Sequence, residues 1–382
     1  MYKVVYIIDA LAITGGLERI IIDKMNYFAD IYNYNIYIIT TFQSGRSFAF
    51  PLSSRIKHID LNIAEHKQYK YKYPKRLWTK WEIDKTIMNN IQYHINEIQP
   101  DIIIGTTKYK ADIICKINCK AKKIIESHCA KSYTGNNDGV KRNSFIQFFY
   151  NLNLIRYNHI IKKSSDAIVT LTKGDALEWN KPHKTYIIPN RINLISTTCS
   201  TCENQHVIAV GRLAHKKGFD ILIKVWKIVI IKFPKWKLNI YGDGNIKNDL
   251  IQLIENEDLK YNITIHPPTT QIYKKMQDSS ILVFSSRSEG FGLVLIEAMT
   301  NGIPCVSFDC PYGPSEIITD GEDGFLIPNG DIQAMADKIC YLIENEENRK
   351  QMGRKAHQSA KRYAPENIMP MWEKLFNEIL RS

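Results

Sequence analysis

Short runs of branched apolar residues recur along the whole chain, each closing on a polar or glycine-bearing turn that leads into a helix-length segment. This alternation constrains the fold more than any other feature. Residues 4–8 read as a strand, Gly15-Gly16 as a tight turn and residues 17–29 as a helix, with further strands at 35–40, 101–104 and 166–171. The pattern restarts at His206 with a strand ending at Gly211, then the run opened by Leu238, then the strand 281–284. Alternating strands and helices imply parallel sheets, with ligands gathered at the carboxyl ends of the strands. A length of 382 residues makes two domains the natural division, each with its own core. No run of 18 apolar residues exists, so no membrane-spanning helix is expected. Asp9 interrupts the apolar N-terminal stretch and Gly15-Gly16 follows, so it reads as a first strand and not as a leader. The eight cysteines include Cys115-x3-Cys119 and Cys199-x-x-Cys202, neither with a matching second pair, so free cytoplasmic thiols are expected in place of zinc or disulfides.

Chemistry concentrates in one run, Ser288-Glu289-Gly290-Phe291-Gly292-Leu293, followed by Glu297 on the helix expected from Leu293 to the vicinity of Gly302 and Pro304. Strand, glycine turn and helix in that order leave bare N–H groups at a helix N-terminus, which favours a phosphate. Two carboxylates eight residues apart on one helix would stand roughly 12 Å apart at about 1.5 Å per residue. Retaining glycosidases hold theirs roughly 5–5.5 Å apart, so an acid–nucleophile pair does not fit. Two separate acceptors, one for each sugar of a nucleotide-sugar, fit better; a capping glutamate followed by a solvated one fits the spacing equally well. A second anion-binding arrangement lies upstream. A strand ends at Gly211-Arg212 and passes through Lys216, Lys217 and Gly218 into the segment 219–231. Arginine grips phosphate oxygens with a planar fork and lysine adds a point charge.

With these motifs in order, the chain resembles the family 4 retaining glycosyltransferases of the GT-B fold. The resemblance is carried by Gly211-Arg212-Leu213 with Lys217-Gly218-Phe219-Asp220, and by Tyr241-Gly242-Asp243-Gly244. The E-x7-E run, Gly313-Pro314-Ser315-Glu316-Ile317-Ile318 and Asp323-Gly324-Phe325-Leu326 complete it. It implies two Rossmann-like domains facing a cleft. Residues 1–195, joined by a C-terminal helix over 365–382, would form the acceptor side, and 205–364 the nucleotide-sugar domain, with 193–205 as linker.

The resemblance also implies roles. Arg212 and Lys217 hold the diphosphate, with Gly211 and Gly242 at the turns around it. Glu289 contacts the donor sugar, the backbone of Gly290, Phe291, Gly292 and Leu293 approaches the phosphates, and Glu297 binds the ribose hydroxyls. Gly15 and Gly16 face the donor phosphates from the first domain, a reading preferred here to a mere tight turn. His128 stands where related enzymes place a histidine beside the donor sugar, although a lone histidine is more often structural. One departure is His266-Pro267-Pro268, where such proteins carry an apolar strand ending in glycine. No Asp-x-Asp occurs, in keeping with chemistry that uses no metal and no cofactor beyond the nucleotide-sugar, a UDP-sugar in preference to a GDP-sugar.

The net charge of +12 asks for an anionic partner. The stretch 67–81, opening on Lys67 and closing on Trp81, has no acidic residue and alternates cations with aromatics, and 141–163, from Lys141 to Lys163, adds Phe148, Phe149 and Tyr150. Such composition suits an anionic membrane surface, where tryptophan and tyrosine sit at headgroup depth. Single-stranded nucleic acid is the competing partner for basic aromatic segments, but no RNA-binding motif accompanies them. A solvated basic face remains the plain alternative. The expectation is thus a cytoplasmic, membrane-peripheral transferase acting on a glycan or lipid-linked glycan. A nucleotide-sugar 2-epimerase of the same architecture and a non-catalytic nucleotide-sugar binder remain open.

Overall fold

The structure, a computed structural model, describes residues 1–13, 15–72, 74–129, 131, 144–181, 183–192 and 198–381. The chain divides into two units, one of Met1–Leu171, Asp175–Ile188 and Met371–Ser382, the other of Thr172–Gly174 and Pro189–Pro370.

In the first unit the strands are β1 (Lys3–Ile8), β2 (Asn35–Thr40), β3 (Lys57–Asp60), β4 (Ile102–Thr106), β5 (Lys122–Ser127), β6 (Ala167–Thr170) and β7 (Thr185–Ile187). They form one parallel sheet in the order β3-β2-β1-β4-β5-β6-β7. Helices α1 (Gly16–Asp30), α2 (Lys75–Ile98), α3 (Ala111–Lys116), α4 (Ser144–Ser164) and α5 (Lys173–Trp179) connect them. The periodic strands fall where the apolar runs lie; β3, whose sequence is Lys-His-Ile-Asp, has no such run and takes its place by pairing with β2 at the sheet edge. The stretch 67–81 becomes a 3₁₀ turn over Glu65–Lys70 followed by the start of α2. That helix is held by one stripe, Ile87, Ile91, Ile95 and Ile98, the buried residues of α2. Fully burying such a side chain contributes about 1.5–3 kcal/mol, which leaves the rest of α2 free to be polar.

In the second unit β8 (His206–Val210), β9 (Lys237–Tyr241), β10 (Ile263–His266), β11 (Ile281–Phe284), β12 (Cys305–Asp309) and β13 (Gly324–Pro328) form a parallel sheet in the order β10-β9-β8-β11-β12-β13. Between them run α6 (Phe219–Lys232), α7 (Lys247–Asn256), α8 (Ile272–Gln277), α9 (Leu293–Thr300), α10 (Pro314–Ile317), α11 (Ile332–Glu344) and α12 (Glu346–Ala360). Leu222, Trp226 and Val229 of α6 share its buried core with Leu238 and Ile240 of β9. Each sheet reverses strand order once, between β1 and β4 and between β8 and β11. In open α/β sheets the loops leaving such a reversal form the ligand crevice.

The last helix, α13 (Pro365–Arg381), carries Trp372 and Phe376 against Phe28 of α1, with ring centroids 6.3 and 5.3 Å apart. The expected linker is only in part a linker: 193–197 lie outside the described residues, and 198–204 pack into the second unit. Arg349, 2% exposed, donates from Nε to the Cys202 carbonyl at 2.8 Å, and Ser200 N donates to Asn301 O at 2.8 Å. A buried guanidinium that needs carbonyl acceptors holds this polar segment in place. All eight cysteines are unpaired. Among the described residues no helix is long and apolar enough to cross a membrane.

Candidate functional site

The reversal between β8 and β11 brings together two loops, 211–218 and 285–292. Lys217 Nζ stands 2.5 Å from Glu289 Oε1, with side chains 22% and 11% exposed. Gly218 makes this approach feasible. Its φ is +66°, and a Cβ there would lie 2.0 Å from the Ser285 carbonyl oxygen. Ser285 Oγ donates to the Lys217 carbonyl at 3.0 Å and Arg287 N to the Lys216 carbonyl at 2.8 Å. Arg287 clamps the loops further: its guanidinium forks onto both Asp220 carboxylate oxygens, at 2.8 and 2.6 Å, and donates to His215 O at 2.6 Å. Burial alone would raise the Asp220 pKa, but the Arg287 fork outweighs it and holds the carboxyl below its usual range. Beside the pair, the buried Cys310 thiol is pushed up to about 12 by burial, with the Glu289 charge adding, so it is inert as a nucleophile.

Past Glu289 the chain enters α9 through Gly292, at φ +101°, with no side-chain cap on the helix. Phe291 is buried and meets Tyr363 edge-on at 5.8 Å, so only its backbone faces the turn. Glu297 lies within α9 and accepts from Tyr273 OH of α8 at 3.3 Å. The two glutamates therefore have different partners, Lys217 for Glu289 and Tyr273 for Glu297. Gly211 and Gly242 form the floor: a Cβ on Gly242 would lie 1.9 Å from Gly211 O. Arg212, also on this loop, is exposed. At His266 a strand does stand, β10, closed by a ring stacked on Tyr241 at 4.5 Å with Nε2 and Asn239 Oδ1 2.9 Å apart. Burial, with the Lys275 charge adding, lowers the His266 pKa, so the ring is neutral at neutral pH.

In the first unit Gly15 caps α1, and a Cβ on it would lie 2.2 Å from Glu18 Oε2, so a carboxylate already stands at this helix terminus. Gly16 opens the helix itself. His128, just past β5, has Nε2 2.7 Å from Glu126 Oε2, and Glu126 Oε1 takes Lys24 Nζ at 2.5 Å.

Residues 202–359 match the family model of glycosyl transferases group 1. A glycosyltransferase of Haemophilus influenzae with no assigned activity is 28% identical over 98% of this chain and 99% of its own length. The poly(ribitol-phosphate) alpha-N-acetylglucosaminyltransferase of Staphylococcus aureus is 38% identical over 56% of this chain and 44% of its own. A mutant of S. aureus TarM, crystallised with Fondaparinux, alpha-GlcNAc-glycerol and UDP, superposes with a TM-score of 0.78 at 19% identity, over 99% of this chain and 100% of that one. The chain has the GT-B fold.

Lys217, Glu289 and the glycines stand out in the sequence, but the groups that hold them do not. Arg287 sits inside the polar run 285–288 and Asp220 inside a quoted motif, yet nothing in either stretch says that they pair. Glu126 lies two residues before His128, an alternation that puts both on one face of a strand end; Lys24 gives no local hint.

Proposed function

We propose that this protein is a glycosyltransferase that moves a hexose or N-acetylhexosamine from a nucleotide diphosphate sugar, a UDP-sugar in preference to a GDP-sugar, to a glycan or lipid-linked glycan in cell-surface polysaccharide synthesis. The observation that carries this reading is the Lys217–Glu289 pair at the strand-order reversal, beside the uncapped N-terminus of α9. A diphosphate needs cations and N–H donors, and a sugar needs carboxylate acceptors; this loop pair offers both side by side. The S. aureus relative, which acts on poly(ribitol-phosphate), supports a surface polymer as acceptor.

In the reaction the C1–O bond to the diphosphate breaks while the acceptor hydroxyl oxygen bonds C1 on the same face. The hydroxyl proton passes to the departing phosphate oxygen. Arg212, Lys217 and the first N–H groups of α9, at Leu293 and beyond, stabilise the charge growing on the diphosphate. Glu289 holds the donor sugar and Glu297 the ribose hydroxyls; within the first unit, His128 and the Gly15-Gly16 turn are the candidate sugar- and phosphate-contacting residues. With two cations and a helix terminus supplying the charge, the step requires no metal.

The first unit carries the anionic-surface reading. Trp78 and Trp81 are 64% and 59% exposed, and Leu77 stands out beside them. Lys75 and Arg76 lie over the Tyr71 and Tyr69 rings, each at 4.4 Å. On α4, Phe148, Phe149, Leu152 and Ile155 are exposed; Lys141 and its next two neighbours lie outside the described residues. Exposed rings flanked by cations match an anionic bilayer surface.

The test is incubation with a panel of nucleotide-sugars, with and without lipid-linked acceptor. Transfer from one donor is the expected result. An isomerised donor identifies a 2-epimerase instead, and a donor bound but unchanged identifies a binding protein.

A further inference from the structure

Lys24 and Glu126 are both almost fully buried, with side chains 4% and 3% exposed, and the reaction described above uses neither. Taking two charges out of water costs several kcal/mol each, which mutual attraction offsets only with good geometry and full hydrogen bonding. Here the geometry divides one carboxylate between two partners. Oε1 takes Lys24 Nζ at 2.5 Å and Oε2 takes the His128 ring at 2.7 Å, while Lys24 lies 4.0 Å from the centre of the Trp372 ring. Thr106, in register with Glu126 on the neighbouring strand, and Tyr6 are buried with hydroxyls that have no hydrogen-bond partner, so neither competes with His128 for the carboxylate.

Burial works to raise the Glu126 pKa, yet the Lys24 charge and the His128 hydrogen bond outweigh it and hold the group at about 2. The carboxylate is therefore ionised and can only accept. A ring nitrogen 2.7 Å from an acceptor-only oxygen must carry a proton, so the His128 Nε2–H donates to Glu126, and Nδ1 is the ring nitrogen left to face another partner.

We propose that Glu126, anchored by Lys24, is a positioning residue that locks His128 in the Nε2–H form and presents Nδ1 as the hydrogen-bond acceptor for a hydroxyl of the bound sugar. The proposal rests on the reading of His128 as a contact to the donor sugar. A pair that merely stabilised the fold would fix the ring equally well but leave kcat/KM for donor insensitive to it.

The test compares two double variants that remove both buried charges and differ only in the acceptor at position 126, Lys24→Met/Glu126→Gln and Lys24→Met/Glu126→Leu. Nitrogen-15 NMR of histidine-labelled protein, assigned by loss of the signal in His128→Asn, reads the tautomer. Wild type and the Gln variant are expected to show Nε2–H, because the Gln oxygen still accepts. The Leu variant is expected to show mixed tautomers and a kcat/KM for donor about tenfold below the Gln variant, the loss of one oriented hydrogen bond. Thermal melts separate these effects from misfolding. Nδ1–H in wild type, Nε2–H persisting alone in the Leu variant, or equal kcat/KM in the two double variants would overturn the proposal. Failure of wild type to transfer from any donor strikes the functional reading instead, and the NMR arm still decides the lock.

Discussion

Replacing Lys217 with Met strips the cation from Glu289 while leaving its carboxylate 11% exposed beside the buried Cys310. Breaking a fully buried pair costs about 3–5 kcal/mol, because the remaining charge is uncompensated. Water reaches part of this site, the lysine being 22% exposed, so the cost falls to about 2 kcal/mol. Glu289→Gln leaves a lysine that can swing to solvent and costs about 1 kcal/mol. The double variant Lys217→Met/Glu289→Gln buries no charge and should also cost about 1 kcal/mol, giving about 2 kcal/mol of coupling. In activity each single variant should lose about 10²–10³ in kcat, the scale of one transition-state donor, with the double no more than tenfold below the worse single. Urea denaturation supplies the stabilities and initial rates with the best donor of the panel supply the activities. Additive stabilities with coupling under about 0.5 kcal/mol, together with rates within about threefold of wild type, would remove the pair from both fold and mechanism.

Arg287→Lys keeps the charge but loses the fork on Asp220 and His215; with both side chains about a third exposed the expected loss is about 1 kcal/mol, a melting shift of 2–4 °C, with a several-fold higher donor KM as the Lys217 loop loosens. An unchanged KM would show that the clamp does not position the site. Acid should destabilise the first unit through Glu126. Its folded pKa of about 2 lies below the unfolded value of about 4.3, so the stabilisation is complete above about pH 5 and disappears as pH falls toward 2. The Lys24→Met/Glu126→Gln variant should show a shallower acid limb in denaturant melts at stepped pH, and an identical limb contradicts the assignment. Tyr6→Phe deletes a buried hydroxyl that has no hydrogen-bond partner and should stabilise the protein by about 1 kcal/mol; a loss of that size would reveal a hidden partner. Changing Lys70, Lys72, Lys75 and Arg76 to Ser should weaken co-sedimentation with anionic liposomes, by up to about 4 kcal/mol at low salt and less as salt screens the charges. Wild type that stays in the supernatant with such vesicles at low salt ends the membrane reading.

The sequence determined what is local. Apolar runs placed β1, β2, β8 and β11, because a buried parallel strand is a contiguous stretch of branched residues, and glycines marked turns such as those at 218 and 292. The two glutamates were legible as separated carboxylates from their spacing, although only Glu297 lies on α9 and Glu289 stands in the loop before it. What the sequence could not show is which side chain answers which. Lys217 meets Glu289 across 72 residues, Arg287 meets Asp220 across 67, and Lys24 meets Glu126 across 102. The first two partnerships exist because β8 lies beside β11 in the sheet, and in the third Lys24 reaches from α1 to Glu126 near the end of β5. Strand order and helix placement follow from the summed burial of two whole cores, and hydrophobic burial is non-directional, so no short stretch of sequence records the polar pairings it brings together.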